Sequence, residues 1–325
     1  MKATAIAPSN IAFIKYWGKK DEVLRLPANG SISMNLSNLL TTTTIEFSHD
    51  FKQDRIAYNG KDETNTASRV IKQLDRIRKL AKITSKAKVV TENNFPAGTG
   101  LSSSASGYAA LIVAAVGATG LKLTEKELSM LARQGSGSAC RSIPDGFVEW
   151  KDGDSSETSY AVSLHEPSYW DIVDVVGVVS TSPKDVSSSE GQKIAASSPF
   201  FAARLKNIDA KIKRMRIILK ERDFQKFGEL VEDEALELHA IYITSHPSLI
   251  YLLPGSLKVM HAVKRWRAEG IQVYFTVNTG QDIHLICQKK DAKKVAALAE
   301  EIPEVQKTII NEPAKGAHLI DKHLF

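Results

Sequence analysis

Short strand-like segments dominate the pattern of apolar and polar residues in the first part of the chain. Positions 41–47 carry β-branched residues, and the segment 55–58 ends at a turn signal, so both are predicted strands. Apolar residues at helical spacing between 70 and 80, and the capping-box pattern Thr124-Glu-Lys-Glu127, predict two helices. The unbroken apolar run 172–179 predicts a buried strand.

From about residue 181 the pattern becomes mainly helical. The predicted elements there are a helical region at 199–242, a helix at 256–269 that ends at Gly270, strands at 272–277 and 283–287, and a helix at 291–301. Because strands and helices do not alternate regularly, the pattern favours an α+β fold over a doubly wound sheet. We place a domain boundary near residue 180, which gives domains 1–180 and 181–325.

Composition and charge narrow the class of protein. The chain has 325 residues, of which 43% are hydrophobic and 25% charged, enough for a sizeable core and two closely associated domains. Its net charge of +6 suits an anionic small-molecule substrate, or is general surface character. Lys and Arg are spread along the sequence, so nucleic acid is not an expected partner.

Several features predict a soluble, cytoplasmic protein. Cys140 and Cys287 are the only cysteines, too few for a disulfide framework in a chain of this size. Polar residues such as Asn10 and Lys15 interrupt the amino-terminal sequence, so no secretory signal is predicted. The longest apolar stretch, 109–116, is far shorter than the ~20 residues of a membrane span, so no membrane partner is expected.

A glycine- and serine-rich loop at 96–107 precedes an apolar helix predicted over 108–118. Glycines let backbone amides approach a ligand closely, serines add hydroxyl donors, and a helix amino terminus supplies free N–H groups with partial positive charge. The residues predicted to bind a polyphosphate in this way are Gly98, Gly100, Ser102, Ser103 and Ser104. The alternative is an ordinary serine-capped helix after a loop.

Four segments together resemble the diphosphomevalonate decarboxylase branch of the GHMP kinase superfamily. In chain order they are 7–19 (APSNIAFIKYWGK), 26–33 (LPANGSIS), 93–104 (NNFPAGTGLSSS) and 135–142 (GSGSACRS). Their order and spacing match as well, and the second and fourth are particular to this branch. The resemblance implies an amino-terminal domain like the second domain of ribosomal protein S5, a ferredoxin-like carboxy-terminal domain, an active site between them, and a homodimer.

The resemblance places the family's catalytic lysine at Lys15 and its catalytic arginine at Arg141. The family's substrate, a phosphorylated mevalonate, has a carboxylate beside a tertiary carbon that bears oxygen. A planar guanidinium binds a carboxylate through paired hydrogen bonds, and an ammonium neutralises charge on the C3 oxygen or its phosphate. Without the resemblance, Lys15 is interpreted as a surface lysine and Arg141 as one partner of a salt bridge.

Further positions match the family's binding residues. The expected substrate contacts are Tyr16, Lys19, Ser136, Ser138 and Ser188, and the expected adenine contacts are Thr91 and Asn93. Taken alone, the serines are typical of turns, and Thr91 and Asn93 of hydrogen bonding at a strand end. The 8 histidines show no metal-ligand spacing, so no metal site is predicted, and His239 and His246 are interpreted as structural.

Three departures from the family change the expected chemistry. Asn278 stands where the family has its catalytic aspartate, and an amide cannot take the C3 hydroxyl proton, a role worth roughly 10²–10⁴-fold. Asp145 is a new carboxylate close to Arg141, where it either supplies an acid or tethers the arginine. The arginine that clamps the tail diphosphate falls near Thr66, and Arg69, one helical turn later, is its expected substitute.

These departures retain the decarboxylation residues but lose the phosphorylation base and the diphosphate clamp. The leading prediction is therefore decarboxylation of mevalonate 3,5-bisphosphate to isopentenyl phosphate, CO2 and phosphate with no cofactor, as in the family's bisphosphomevalonate decarboxylase branch. The main alternative uses ATP and Mg²⁺ to decarboxylate 5-phospho- or 5-diphosphomevalonate, with Asp145 or Asp282 as the base. A mevalonate 3-kinase and a non-catalytic phosphate-binding protein remain further alternatives. The intact phosphate loop is unexpected in an enzyme that does not use ATP.

Overall fold

The computed structural model describes residues 1–325, and its strands form two large sheets and one short hairpin. The strands are β1 (Lys2–Ile14), β2 (Lys19–Asp21), β3 (Leu26–Pro27), β4 (Ser31–Ser48), β5 (Arg55–Tyr58), β6 (Lys61–Asp62), β7 (Lys86–Asn93), β8 (Phe147–Lys151), β9 (Tyr160–His165), β10 (Ile172–Val178), β11 (Val273–Thr276), β12 (Ile283–Gln288), β13 (Lys307–Asn311) and β14 (His318–Ile320). The α-helices are α1 (Ser68–Ala81), α2 (Ser103–Thr119), α3 (Glu125–Gly135), α4 (Ser188–Gly191), α5 (Phe201–Glu221), α6 (Phe224–Thr244), α7 (Pro254–Ala268) and α8 (Ala292–Glu300).

The larger sheet has eight strands and is built around the long strands β1 and β4. Its main order is β14-β1-β4-β7-β5-β6, while β8 pairs with β4 and β9 pairs with β8. Helix α2 packs on β1 and β4 and is apolar on nearly all sides, as expected for a helix buried in a core. The hydroxyl of Ser9 in β1 donates to the carbonyl of Leu101 at 2.5 Å, which fixes the loop before α2 to the sheet.

The smaller sheet is antiparallel, with the order β11-β12-β10-β13, and helices α7 and α8 pack against it. Helix α6 contacts both β11 of this sheet and β1 of the larger sheet. One hydrophobic cluster accordingly contains Phe13 of β1, Phe227 of α6 and Ile286 of β12. The two sheets are therefore joined through α6, and β4 of the larger sheet also contacts β13 of the smaller one.

The α+β prediction is confirmed, and the elements differ from the predicted ones in two informative places. The predicted strand 41–47 is only the second part of β4, because the first part carries buried polar residues such as Ser31 and Asn35 that break the apolar pattern. The helical region 199–242 is two helices, interrupted at Arg222, which adopts a left-handed conformation with φ of 56°. No helix combines the length and apolar character that crossing a lipid bilayer requires.

The division between the sheets does not coincide with the boundary near residue 180. Strand β10 lies before that position yet pairs with β12 and β13 of the smaller sheet. Strand β14, near the carboxy terminus, returns to pair with β1 of the larger sheet. The domains 1–180 and 181–325 therefore stay a prediction.

Candidate active site

A cleft of about 250 Å³ contains residues from both halves of the chain. Its lining includes serines from several loops and five cationic side chains, Lys15, Arg25, Arg69, Arg141 and Lys184. No aspartate or glutamate lines it. Because charge of one sign in a cleft concentrates ligands of the opposite sign, this arrangement favours a polyanion.

Lys15 follows the last residue of β1 and is only 1% exposed. Its Nζ donates to the carbonyl of Ala12 at 2.6 Å, to Thr276 Oγ1 at 2.6 Å and to Asn278 Oδ1 at 3.3 Å. Burial lowers the pKa of Lys15 to about 7, against the opposing effect of the Glu234 carboxylate. The charge of Lys15 therefore changes near neutral pH, and an anion in the cleft would favour the ammonium form.

Arg141 lies in the 3-10 helix Gly137–Ser142 and is 4% exposed. Its Nε donates to Ser33 Oγ at 3.1 Å, its Nη1 to Ser31 Oγ at 2.8 Å and its Nη2 to Asn10 Oδ1 at 3.0 Å. These acceptors are neutral, so the guanidinium has no counter-charge within the protein, and burial lowers its pKa. An unpaired buried cation is costly, and a ligand carboxylate would offset that cost.

Asn278 connects Lys15 to the phosphate loop. Its Oδ1 accepts from Lys15, and its Nδ2 donates to Ser102 Oγ at 3.3 Å. His239 lies behind it, with Nε2 at 3.3 Å from the Asn278 carbonyl oxygen. Burial lowers the pKa of His239 to about 4, and the nearby charge of Lys15 acts in the same direction, so the imidazole is neutral.

Neither aspartate expected to replace the family's base reaches the cleft. Asp145 is exposed, and its Oδ1 accepts from the backbone amide of Gly316 at 2.7 Å. Asp282 is buried, and its Oδ1 accepts from the amides of Val179 at 2.9 Å and Ser180 at 3.3 Å. The geometry therefore does not support Asp145 as a catalytic residue or as a tether for Arg141, because neither aspartate lines the cleft and each bonds backbone amides elsewhere through Oδ1.

The phosphate loop has the backbone geometry that its glycines suggest. Gly98 has φ of 81°, and Gly100 has φ of 113°. Helix α2 starts at Ser103, five residues before the predicted start at 108, so Ser103 and Ser104 belong to its first turn. Ser102 makes no side-chain cap to this helix, which leaves its first N–H groups available to a ligand.

Lys184 is a cleft residue that the sequence pattern does not identify. Its backbone amide donates to the Gly98 carbonyl at 3.2 Å, and its Nζ donates to Ser188 Oγ at 2.8 Å and Thr279 Oγ1 at 3.0 Å. Burial lowers its pKa to about 8. The segment around it has no periodicity or motif that would separate this lysine from the many surface lysines.

Two arginines lie at another part of the cleft. Arg69 donates through Nη2 to the Gly135 carbonyl at 2.8 Å and stacks over the Tyr108 ring at 5.2 Å. Arg25, which sequence reasoning also missed, has φ of 52° in the turn between β2 and β3. Burial, and then the charge of Arg69, lower the Arg25 pKa. Two guanidiniums that line one cleft without an acidic residue in the lining suit a phosphate-bearing tail.

The other predicted substrate contacts divide into residues inside and outside the cleft. Those that line it are Tyr16, Ser136, Ser138 and Ser188. The Tyr16 hydroxyl donates to Gln192 Oε1 at 2.6 Å, which adds Gln192 to the lining. Lys19 does not line the cleft, because its Nζ pairs with the neighbouring Glu22 at 2.7 Å. Its expected role as a tail contact is not supported by this geometry.

A second cavity of about 490 Å³ shares Arg69, Ser103 and Ser104 with the cleft and has a more apolar lining. Thr91 lines it, together with Tyr58 and Tyr108. Asn93 does not, because its Nδ2 donates to the Tyr58 hydroxyl at 2.8 Å and its Oδ1 accepts from Thr41. Thr91 can thus contact a ligand in this cavity, whereas Asn93 lies outside it and bonds Tyr58.

The comparisons with known proteins agree with this architecture. Residues 7–161 match the model of a diphosphomevalonate decarboxylase-like N-terminal domain, and residues 174–321 that of a mevalonate 5-diphosphate decarboxylase C-terminal domain. The diphosphomevalonate decarboxylase of Candida albicans is 36% identical over 314 residues, covering 91% of this chain and 87% of that protein. A solved mevalonate diphosphate decarboxylase of Enterococcus faecalis is 34% identical, with a TM-score of 0.91 and 99% of both chains covered. These likenesses confirm the GHMP kinase-like fold.

One comparison overturns the prediction that no cofactor is required. A solved structure with a TM-score of 0.92 and 35% identity, covering 99% of both chains, is a complex with MVAPP, AMPPCP and magnesium. AMPPCP is an ATP analogue, and the Enterococcus faecalis enzyme has an ATP binding mechanism mediated by mevalonate diphosphate. Decarboxylation of a 3,5-bisphosphate without nucleotide is therefore not supported. The family matches span both halves of the chain, and this protein belongs to the diphosphomevalonate decarboxylase family of carboxy-lyases.

Proposed function

We propose that this protein uses ATP to phosphorylate and decarboxylate mevalonate 5-diphosphate, giving isopentenyl diphosphate, CO2, phosphate and ADP. One observation carries the proposal. Lys15 and Arg141 line the same cleft as the phosphate loop. Both cations are buried, and neither side chain bonds a carboxylate. Only the backbone amide of Lys15 does so, to Glu234. A carboxylate and a transferred phosphoryl group are the two anions that such a pair would bind.

Arg141 would act on the departing carboxylate, and Lys15 on the departing phosphate. As the γ-phosphoryl group moves from ATP to the C3 oxygen, the hydroxyl proton passes to an oxygen of that phosphate, because no carboxylate lines the cleft to accept it. The bond from C3 to that oxygen then breaks and phosphate leaves. The carboxylate then departs as CO2, and its bonding electrons form the new double bond. Arg141 holds the carboxylate through its guanidinium fork, and the Lys15 ammonium offsets charge on the departing phosphate oxygen.

The nucleotide fits the second cavity and the phosphate loop. The base would lie beside Thr91 and Tyr108 in the larger cavity, and the phosphates would follow Ser103 and Ser104 into the cleft that both share. Helix N–H groups and the Lys184 ammonium are suited to the phosphate oxygens.

Magnesium also fits this site, although the cleft offers hydroxyl and amide oxygens and no carboxylate. Mg²⁺ is commonly bound through substrate phosphates and retained waters rather than by a protein cage. Ser102 and its neighbouring serines are the residues that would complete its coordination. The ion neutralises phosphate charge when bound.

Arg25 and Arg69 support a diphosphate at the 5-position. The sequence suggests a weakened clamp because only Arg69 is recognisable, whereas the cleft contains both arginines and no acidic residue. Two guanidiniums provide enough charge for a diphosphate, and a single phosphate would leave one of them less well paired. Homodimerisation remains a prediction from the family.

The direct test is to incubate the purified protein with MgATP and mevalonate 5-diphosphate and to measure ADP, CO2 and isopentenyl diphosphate together. We expect equal amounts of the three products. The same assay with mevalonate 5-phosphate should give a lower kcat/KM. Absence of ADP and CO2 with both substrates would refute the proposed function, and ADP without CO2 would identify a 3-kinase instead.

A further inference from the structure

We propose that Arg204 and Glu234 are positioning residues that hold Lys15 in the cleft by its main chain. The proposal rests on the proposed function, because it takes Lys15 to be the residue that acts on the C3 oxygen. It concerns residues outside the cleft lining, which contact neither the expected substrate nor the nucleotide sites. Arg204 belongs to α5 and Glu234 to α6.

The two side chains take both polar backbone atoms of Lys15. The Lys15 amide donates to Glu234 Oε2 at 3.1 Å, and Arg204 Nη2 donates to the Lys15 carbonyl at 2.8 Å. Arg204 Nη2 also donates to Glu234 Oε2 at 2.9 Å, so the three groups form a closed ring of hydrogen bonds. Asn29 Nδ2 adds a second donor to the Lys15 carbonyl at 2.8 Å.

This ring supplies the backbone hydrogen bonds that the sheet does not give to Lys15. Lys15 comes directly after β1 ends at Ile14, so no strand neighbour bonds its amide or carbonyl. The side chains of Arg204 and Glu234 are both 0% exposed. A buried ion pair is a weak device for stability compared with apolar packing, but it fixes geometry because every misplaced group is left unpaired. Because Arg204 and Glu234 bond the backbone of Lys15, a single residue of the cleft, their role is to position that residue.

Lys211 and Glu237 complete a charge-balanced cluster. Lys211 Nζ donates to Glu234 Oε1 at 2.8 Å, and Arg204 Nη1 donates to Glu237 Oε1 at 2.6 Å. Two cations and two carboxylates cancel, so the cluster adds no net charge beneath the cleft. Neutralising Glu234 alone would leave an excess of positive charge close to Lys15.

Charges from several elements act on Lys15, and Glu234 is the one with the largest effect. The groups that face it are Glu234 and the neutral His239 on α6, Arg204 on α5, Arg141 on the 3-10 helix and Asp174 on β10. The Glu234 carboxylate favours the ammonium form, while Arg141 and Arg204 oppose it. Removing the Glu234 charge should therefore lower the Lys15 pKa below about 7.

The experiment compares Arg204→Lys and Glu234→Gln with Glu149→Gln as a matched control. Glu149 is a buried carboxylate that pairs with another α5 arginine, Arg216, but does not contact Lys15. We expect kcat to fall by about 10- to 100-fold in both test variants, because a small displacement of a catalytic group is costly. The KM values should change less than about threefold, and Glu149→Gln should keep wild-type kcat.

A second readout does not depend on turnover. Lysine Nζ resonances of ¹⁵N-labelled protein, with Lys15 assigned by its absence from Lys15→Met, report its protonation directly. In Glu234→Gln the Lys15 titration and the alkaline limb of the kcat profile should both move to lower pH. The proposal is overturned if both test variants lose no more activity than Glu149→Gln and the Lys15 titration is unchanged. If the wild-type protein is inactive on both substrates, the proposed function is refuted. The Lys15 titration in Glu234→Gln would still test whether Glu234 acts on Lys15.

Discussion

The Arg141 guanidinium is buried, and its three hydrogen-bond partners in the protein are all neutral. Its replacement would therefore remove both these bonds and the planar group that faces the ligand. In Arg141→Lys, one ammonium cannot bond Asn10, Ser31 and Ser33 and also present a planar fork to a carboxylate. We expect kcat/KM to fall by about 100-fold or more. Steady-state kinetics would check this, with Arg216→Lys as the control because its partner Glu149 lies outside the cleft. A variant that keeps a tenth of the wild-type rate would contradict the role.

Asn278 leaves the cleft without a carboxylate base, and restoring one is informative. In Asn278→Asp the new carboxylate would lie near Lys15 Nζ, where Asn278 Oδ1 now lies at 3.3 Å. We expect kcat to rise by roughly 10²-fold, as a positioned base allows. The carboxylate would also raise the Lys15 pKa above about 7. Activity that needs the ammonium form is lost as pH rises through that pKa, so its alkaline limb should move to higher pH. An unchanged kcat and pH profile would show that proton transfer from the C3 hydroxyl does not limit the rate.

At the scale of elements, the phosphate loop depends on close contact between two backbone segments. A Cβ added at Gly100 would lie 2.4 Å from Gly280 Cα, in the loop that carries Asn278, and the φ of 113° is strained for any other residue. Gly100→Ala should therefore destabilise the protein by about 1–3 kcal/mol and weaken nucleotide binding. Gly60→Ala is the control, because Gly60 has φ of 77° but open space around it. Denaturant unfolding and nucleotide titration would measure both, and equal effects of the two substitutions would contradict the contact.

The sequence predicts elements well where local pattern determines them and poorly where a distant partner does. The capping box at Thr124 and Glu127 forms as expected, since its hydrogen bonds lie within one helical turn. The first part of β4 is missed because its buried serines are explained only by Arg141, more than a hundred residues away. The environment of Asp145 is not predictable from the sequence for the same reason, since its partner is the distant amide of Gly316.

For the whole molecule, the site exists only because separate stretches of chain meet. The resemblance identifies Lys15 and Arg141 through motifs, but Arg25 and Lys184 become visible only when the fold brings them to the same cleft. Five cationic side chains and no acidic one thus meet in this cleft. A net charge of +6 for 325 residues gives no hint of this, because acidic residues are simply absent from the lining.

This concentration of charge predicts that a simple polyanion stabilises the folded protein. A ligand that binds only the native state at ~100 times its Kd adds about 2.7 kcal/mol, so sulfate, whose own charge is constant in this pH range, should raise Tm by a few degrees. Burial lowers the pKa of Lys15 to about 7 and that of Lys184 to about 8. Both ammonium groups are charged below these values, so the rise should be largest near pH 6 and shrink towards about pH 9. A double Arg25→Gln, Arg69→Gln variant should lose part of the rise but keep its pH dependence, because Lys15 and Lys184 lie at another part of the cleft. Calorimetry would decide, and an equal rise in that variant would place the anion elsewhere.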